Sequence, residues 1–126
     1  MTTSPNLGIA HVASNQNQKE VTINDAVDAL DNAENAVLTI TLSDADYTLS
    51  ATEANRNGLL IFTGTLTAAR TVTLPGNARR IAVRNATSGG FALNFTYAGG
   101  TPVSLANAKN ALLHGDGTNL YKLSEI

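Results

Sequence analysis

The chain contains no cysteine and no tryptophan, and aromatic residues make up only 5% of its 126 positions. Without cysteine, disulfide bonds, thiolate metal sites and cysteine nucleophiles are excluded together. Charged residues amount to only 14%, and no apolar run approaches the roughly 18 residues that a membrane-spanning helix needs. We therefore expect no membrane partner, and a stability that does not depend on redox state.

The residues that are present favour strands over helices. Hydrophobic residues make up 43% of the chain and are mostly Ala, Leu, Val and Ile, while Thr, Asn and Ser supply much of the remainder. This mixture is typical of strands and turns, whereas the surface of a helical bundle is rich in Glu and Lys. At this length we expect one small domain with an additional arm.

The first 20 residues show no hydrophobic period. Pro5 and Gly8 interrupt them, and four amide side chains follow one another from Asn15 to Gln18. Such a segment cannot bury enough apolar surface to order by itself. It predicts an extended arm that orders only when it binds a partner.

A helix is predicted to follow the arm. Thr22 is the expected N-cap, with Asp25 three positions later in the capping-box position. Ile23, Val27 and Leu30 recur at the spacing of one helix face. Because this face is too narrow to form a core alone, we expect it to be the interface of an oligomer, packed around a threefold axis.

From residue 36 onward the hydrophobic period changes from 3.6 to 2. Short apolar or alternating segments lie between turn residues, among them VLTITLS, GLLIFTG, RTVTLPG, RRIAVRN and FALNFTY. About eight such strands, with no long internal repeat, predict an antiparallel β-sandwich or barrel. The predicted fold is therefore mainly β. An arm and one short helix occupy residues 1–35, for attachment and oligomerisation, and a β-sandwich domain occupies residues 36–126.

No group of side chains predicts catalysis. His114 and Asp116 form an H-x-D pair in a turn, but a metal site needs further ligands. Asp44 and Asp46 lie two positions apart without the neighbours that would form a substrate cleft. A glycoside-processing enzyme, one of the alternatives, needs a carboxylate pair that cannot be placed here. We therefore predict that the protein is not an enzyme and has no catalytic, metal or cofactor site.

Acidic and basic residues are unevenly distributed. Residues 1–55 carry one base and eight acids, whereas residues 56–126 carry seven bases and two acids. Either the two halves neutralise each other within one chain, or they meet between subunits. Arg79, Arg80 and Arg84 form a basic patch on one predicted strand, with Arg79 on the opposite face from the other two. We expect this patch to contact acidic residues of the helix, and too few bases and aromatics accompany it for nucleic-acid binding.

The N-terminal segment resembles one found in virion proteins. Its elements, in order, are Pro5-Asn6-Leu7, Gln16, Gln18-Lys19, Val21-Thr22, Asn24 and Ala26. They resemble the N-terminal segment of tail-fibre and related virion proteins of tailed bacteriophages and gene transfer agents. The resemblance implies that the arm binds a partner through a set of six residues. These are Pro5, Asn6, Leu7, Gln16, Gln18 and Lys19.

The remaining chain resembles the small β-domains of phage structural proteins, most clearly in the stretches TAARTVTLP and GDGTN. The two resemblances together imply a virion structural protein that is oligomeric and often trimeric, without enzymatic activity. Tail fibres with such segments continue into a long receptor-binding region, whereas this chain ends at Ile126. The expected role is therefore that of a capsid spike, a capsid decoration or a fibre-base protein.

The sequence thus predicts a structural protein located in the virion of a tailed phage. It is expected to dock on other capsid or tail subunits through its arm and helix, and to form a homotrimer. The alternative is a carbohydrate-binding module of a tail fibre that recognises a host-surface glycan, with Tyr47, Tyr97 or Tyr121 as a stacking platform. The absence of tryptophan weighs against this alternative.

Overall fold

The computed structural model describes residues 2–126 and contains two helices and nine strands within that range. The long helix is α1, Lys19–Asn35, and the short one is α2, Ala51–Asn55. The strands are β1 Val37–Thr41, β2 Tyr47–Thr48, β3 Leu59–Thr63, β4 Arg70–Leu74, β5 Ala78–Asn85, β6 Leu93–Tyr97, β7 Val103–Leu105, β8 Asn110–Asp116 and β9 Leu120–Glu125. The predicted mainly-β fold with one main helix is confirmed.

The strands form two sheets, between which the chain alternates. One sheet has the order β1-β3-β5-β8-β9 and the other the order β2-β4-β6-β7. Val37 lies beside Leu59, and Leu59 lies beside Ala82, so neighbouring strands are separated by 22 and then 23 residues. The first six strands are therefore three coils of a short β-solenoid, and β7, β8 and β9 complete the two sheets at its C-terminal side.

The predicted antiparallel pairing is correct only for the later strands. β1, β3 and β5 pair in parallel, as do β2, β4 and β6, whereas β7, β8 and β9 pair antiparallel with their neighbours. The reason is the path of the chain. Each connection crosses to the other sheet before it returns, so a strand arrives beside its neighbour in the same direction.

Inward-facing side chains of the two sheets form one core. Its largest fully buried members are Phe62 of the first sheet and Phe95 of the second, whose ring centroids are 5.5 Å apart at an interplanar angle of 59°. This tilted arrangement is favourable for aromatic pairs. Leu60, Val83 and Leu93 are also fully buried around it.

A buried amide closes the core at one end of the solenoid. Asn85 is fully buried, and its Nδ2 donates to the carbonyl oxygens of Phe91 and Leu105 at 3.1 and 3.2 Å. Its Oδ1 accepts from the Thr87 hydroxyl at 2.6 Å. These bonds join the end of β5 to the backbone at Phe91 and Leu105 and to the side chain of Thr87.

Two aspartates tie the first coil to the second. Asp44 accepts bonds from the backbone N and the hydroxyl of Thr67 at 2.9 and 2.7 Å, and from Nε and Nη2 of Arg70 at 3.1 and 2.9 Å. Asp46 accepts from the backbone N of Thr71 at 2.8 Å. The bonds from Thr67, and then from Arg70, lower the pKa of the Asp44 carboxyl from 3.8 to about 2.

Replacing Asn85 should destabilise the fold. In N85L the carbonyl oxygens of Phe91 and Leu105 and the hydroxyl of Thr87 lose their hydrogen bonds to Asn85, and we expect the free energy of unfolding to fall by about 2–4 kcal/mol. Urea denaturation followed by circular dichroism measures this loss. The matched variant N94A removes a half-buried amide of β6 that makes no side-chain hydrogen bond within residues 2–126. An equal loss in both variants would contradict the role given to Asn85.

Asp44 should make the free energy of unfolding depend on pH in the acidic range. Because its folded pKa is lowered, its contribution is present above about pH 4 and is lost as pH falls toward about 2. We expect D44N to have a lower melting temperature than the unchanged chain at pH 7. This difference in melting temperature should disappear near pH 2. The control D28N neutralises an exposed carboxylate of α1. A pH-independent difference for D44N would contradict the assignment.

Candidate functional site

Helix α1 lies largely outside the β-domain. Ala33 is the only buried residue among its 17. Its C-terminal end is attached to the domain by Arg79, whose Nη2 donates to the carbonyls of Ala33 and Asn57 at 3.0 and 3.1 Å. A guanidinium at the last turn of a helix also complements the negative end of the helix dipole. The rest of the helix is left open to solvent or to a partner.

The helix begins earlier than predicted. Its first residue is Lys19, and Gln18 before it adopts a left-handed conformation with φ of 54°. Thr22, the predicted N-cap, lies inside the helix, where its hydroxyl accepts a hydrogen bond from Gln16 Nε2. The prediction was wrong because a left-handed turn at Gln18 starts the helix one turn before the capping motif.

The predicted extended arm is in fact folded back on itself. Thr3 and Ala10 form an antiparallel bridge, and a turn connects them. The backbone N of Ser4 donates to Ile9 O at 2.8 Å, and Ser4 Oγ accepts from Ile9 N at 2.9 Å. Ser4 and Ile9 thus pair with each other inside the arm, without the strand partner that an extended arm would need.

Two side chains of the β-domain bind the arm. Arg56 Nη1 donates to Leu7 O at 2.7 Å, and Asn77 Nδ2 donates to Asn6 O at 2.6 Å. Asn77 is in turn oriented by Asn55 Oδ1 at 3.1 Å. The arm is therefore held at the base of α1 before any partner arrives.

Arm and helix together form one apolar surface, which we call the arm–helix surface. Ile23, Val27 and Leu30 of the helix are 52%, 61% and 52% exposed. They line an open groove of about 580 Å³ together with residues of the arm. Its larger apolar members are Pro5, Leu7, Ile9, Val12, Ile23, Val27 and Leu30.

This groove brings together six of the residues predicted to bind partners: Pro5, Asn6, Leu7, Ile23, Val27 and Leu30. The other three, Gln16, Gln18 and Lys19, lie at the start of the helix. Gln16 Oε1 accepts from the backbone N of Ala13 at 2.8 Å, so this amide is used within its own chain. Ile9 and Val12 belong to the groove but were missed, and their only signal was an apolar side chain in a polar arm.

The three arginines of the basic patch are in two different environments. Arg79 is half-buried beneath the end of α1, where loss of hydration lowers the pKa of its guanidinium and the nearby charge of Glu34 partly opposes that shift. Arg80 and Arg84 are exposed on the outer face of the first sheet. Arg79 therefore binds its own helix, and only Arg80 and Arg84 remain open to another chain.

Ion pairs within the chain do not join the acidic helix to the exposed arginines. In residues 2–126 the salt bridges are Asp44 to Arg70 at 2.9 Å and Lys122 to Glu125 at 2.8 Å. The first of these joins the acidic and basic halves of the chain, but it lies in the β-domain. The five carboxylates of α1 form no salt bridge there: Glu20, Asp25, Asp28, Asp31 and Glu34.

The other acidic candidates have structural contacts. Asp116 Oδ1 accepts from the backbone N of Thr118 and of Asn119, both at 2.8 Å, and these bonds lower the pKa of the Asp116 carboxyl. His114 is exposed beside it. Within residues 2–126 no group of three or more His, Cys, Asp or Glu residues could hold a metal ion.

The three tyrosines do not form one platform. Tyr97 is buried, with its hydroxyl donating to Asn77 O at 2.6 Å. Tyr47 lies at the edge of the same sheet and donates to Glu53 at 2.7 Å. Tyr121 is exposed on β9 of the other sheet. A sugar ring therefore cannot contact all three at once.

Neither helix in residues 2–126 is long and apolar enough to cross a membrane. No family model, curated protein or solved structure matches the chain. Inferences about function therefore depend on the residues and on the geometry of the arm–helix surface.

Proposed function

We propose that the protein is a structural component of a tailed-phage particle, in the role of a capsid spike, a capsid decoration or a fibre-base protein. In this proposal it docks on other virion subunits and self-associates as a trimer through the arm–helix surface. The observation that carries the proposal is the exposed apolar stripe of α1, together with the arm beside it. This is also the segment that resembles the attachment segments of phage virion proteins.

The energetics of α1 support an interaction role. Most helices in proteins are stabilised by packing of an apolar face against a neighbour and not by intrinsic helix propensity. α1 has that face in Ile23, Val27 and Leu30, each more than half exposed. Full burial of such side chains contributes about 1.5–3 kcal/mol each, so a partner that covered their exposed parts would gain several kcal/mol.

The fixed position of the arm changes how docking would proceed. The sequence favoured an arm that orders on binding, at a cost in conformational entropy. Arg56 and Asn77 already hold the backbone of the arm at Leu7 and Asn6. A partner would therefore meet a preformed groove, which lowers the entropic cost of association.

The carboxylates considered as catalytic candidates accept hydrogen bonds from the backbone instead. Asp44 and Asp46 bind backbone groups of the next coil, and Asp116 binds the backbone of its own turn. A general acid or base must be free to exchange a proton with a substrate. These contacts favour a structural role over an enzymatic one.

Self-association is tested with one substitution on the stripe. V27D places a charge at a side chain that is 61% exposed, so the fold should persist while the interface is disrupted. By light scattering coupled to size exclusion, we expect three times the chain mass of 13.1 kDa for the unchanged chain and the chain mass for V27D. N24D, off the stripe on the same helix, is the control. A monomeric unchanged chain would contradict the proposal.

Residence in a particle is tested in the strain that encodes the chain. Mass spectrometry of gradient-purified phage particles should detect the chain. When the gene carries V27D, we expect the chain to be lost from the particles, and N24D should be retained. Finding the unchanged chain only in the particle-free fractions would show that it is not a virion component.

A further inference from the structure

The outer face of the five-stranded sheet carries an apolar row. Val37, Leu59, Ala82 and Leu112 lie side by side on β1, β3, β5 and β8. Val37 is 58% exposed, and the other three are half-buried although they face outward. A shallow depression of about 350 Å³ lies over Leu59, Ala82 and Leu112, with Ile126 at its edge. A sheet face that is exposed to water usually carries polar side chains. The apolar row therefore indicates that another surface covers this face.

Two unpaired arginines flank this row. Arg80 and Arg84 lie on either side of Ala82 on the same face of β5, and both are exposed. Within residues 2–126 neither has a carboxylate oxygen within 4.0 Å. The face therefore combines an apolar centre with positive charge, and it fits a partner with an apolar stripe and a negative flank.

Helix α1 has this pattern. On a helix of 3.6 residues per turn, Ala26 and Ala29 lie on one side of the stripe. They line a groove together with residues of the arm, so this side of the stripe faces the arm. The other side of the stripe carries Glu20, Asp31 and Glu34. Glu34 lies near Arg79 of its own chain, so Glu20 and Asp31 are the acids most available to a neighbour. The helix as a whole has one base and five acids.

The same charges disfavour packing of α1 against copies of itself. Glu20 and Glu34 continue the stripe of Ile23, Val27 and Leu30 at alternating spacings of three and four residues. In a parallel bundle these positions would meet their equivalents, so like charges would face each other. A surface that presents arginine avoids this repulsion.

We propose that the apolar stripe of α1 docks across the outer face of the five-stranded sheet of a second copy, where Arg80 and Arg84 face the acidic flank of the helix. The inference rests on the self-association proposed above and specifies its geometry. Each copy then donates a helix and receives one. A head-to-tail contact of this kind forms a closed ring when a whole number of its rotations makes one full turn. In a ring of three copies, the sheet of a neighbour would cover each helix.

Charge reversal tests the contact. We expect R80E/R84E to reduce the mass measured by light scattering to that of a single chain, 13.1 kDa. E20R/D31R should do the same, since Glu20 and Asp31 are the acids of the helix that a neighbour can reach. A chain that carries all four substitutions restores opposite charges across the contact, and its mass should return to that of the unchanged chain. Circular dichroism melts confirm that each variant is folded. If a reversal is not, R80Q/R84Q replaces R80E/R84E, and E20Q/D31N replaces the reversal on the helix.

Ionic strength gives a second measurement that needs no variant. If opposite charges meet, raising NaCl from about 0.05 to about 0.5 M should weaken the association of the unchanged chain, because salt screens attraction. If α1 helices meet each other, the same change should strengthen it. A higher mass at high salt would overturn the helix-on-sheet contact.

The outcomes separate this contact from the proposal on which it rests. If R80E/R84E remains an oligomer while V27D becomes a monomer, the helix drives association but does not dock on the sheet. If the unchanged chain is itself a monomer, self-association fails as a whole. Loss of mass in both reversals, with recovery in the combined chain, supports the helix-on-sheet contact.

Discussion

Parallel pairing between successive coils is the constraint on which the rest of the structure depends. Parallel neighbours cannot be joined by a tight turn, so the chain crosses to the second sheet between β1 and β3, and again between β3 and β5. That path generates two facing sheets and one core around Phe62 and Phe95. It also places the loops of successive coils above one another, where Asp44 binds Thr67 and Arg70 across the gap.

The sequence predicted the elements of this fold better than their pairing. Alternating side chains located most strands. The short helix α2 has Ser50 as its N-cap, where both bonds of a capping box with Glu53 are present. A period of two is the same in parallel and antiparallel strands, so it carries no information about direction. The coils of 22 and 23 residues repeat in geometry without repeating in sequence. Their signals were therefore assigned to hairpins.

The arm–helix surface was predicted in part, for a similar reason. Helical spacing alone identified Ile23, Val27 and Leu30, because the period of a helix is local. The fold of the arm depends instead on Arg56 and Asn77, which lie 49 and 71 residues beyond the carbonyls that they bind. No local pattern records such contacts. Arg79 illustrates the same limit, since its strand position gave its face correctly but not its place beneath the end of α1.

The number of coils in the solenoid determines the length of the domain. Adjacent strands of a sheet are separated by about 4.8 Å, so each additional coil of 22 or 23 residues would lengthen the domain by about that distance without changing its cross-section. Because α1 joins the first coil directly, the number of coils sets the distance between α1 and the far end of the domain. Gain or loss of single coils would then change this distance in small, equal steps.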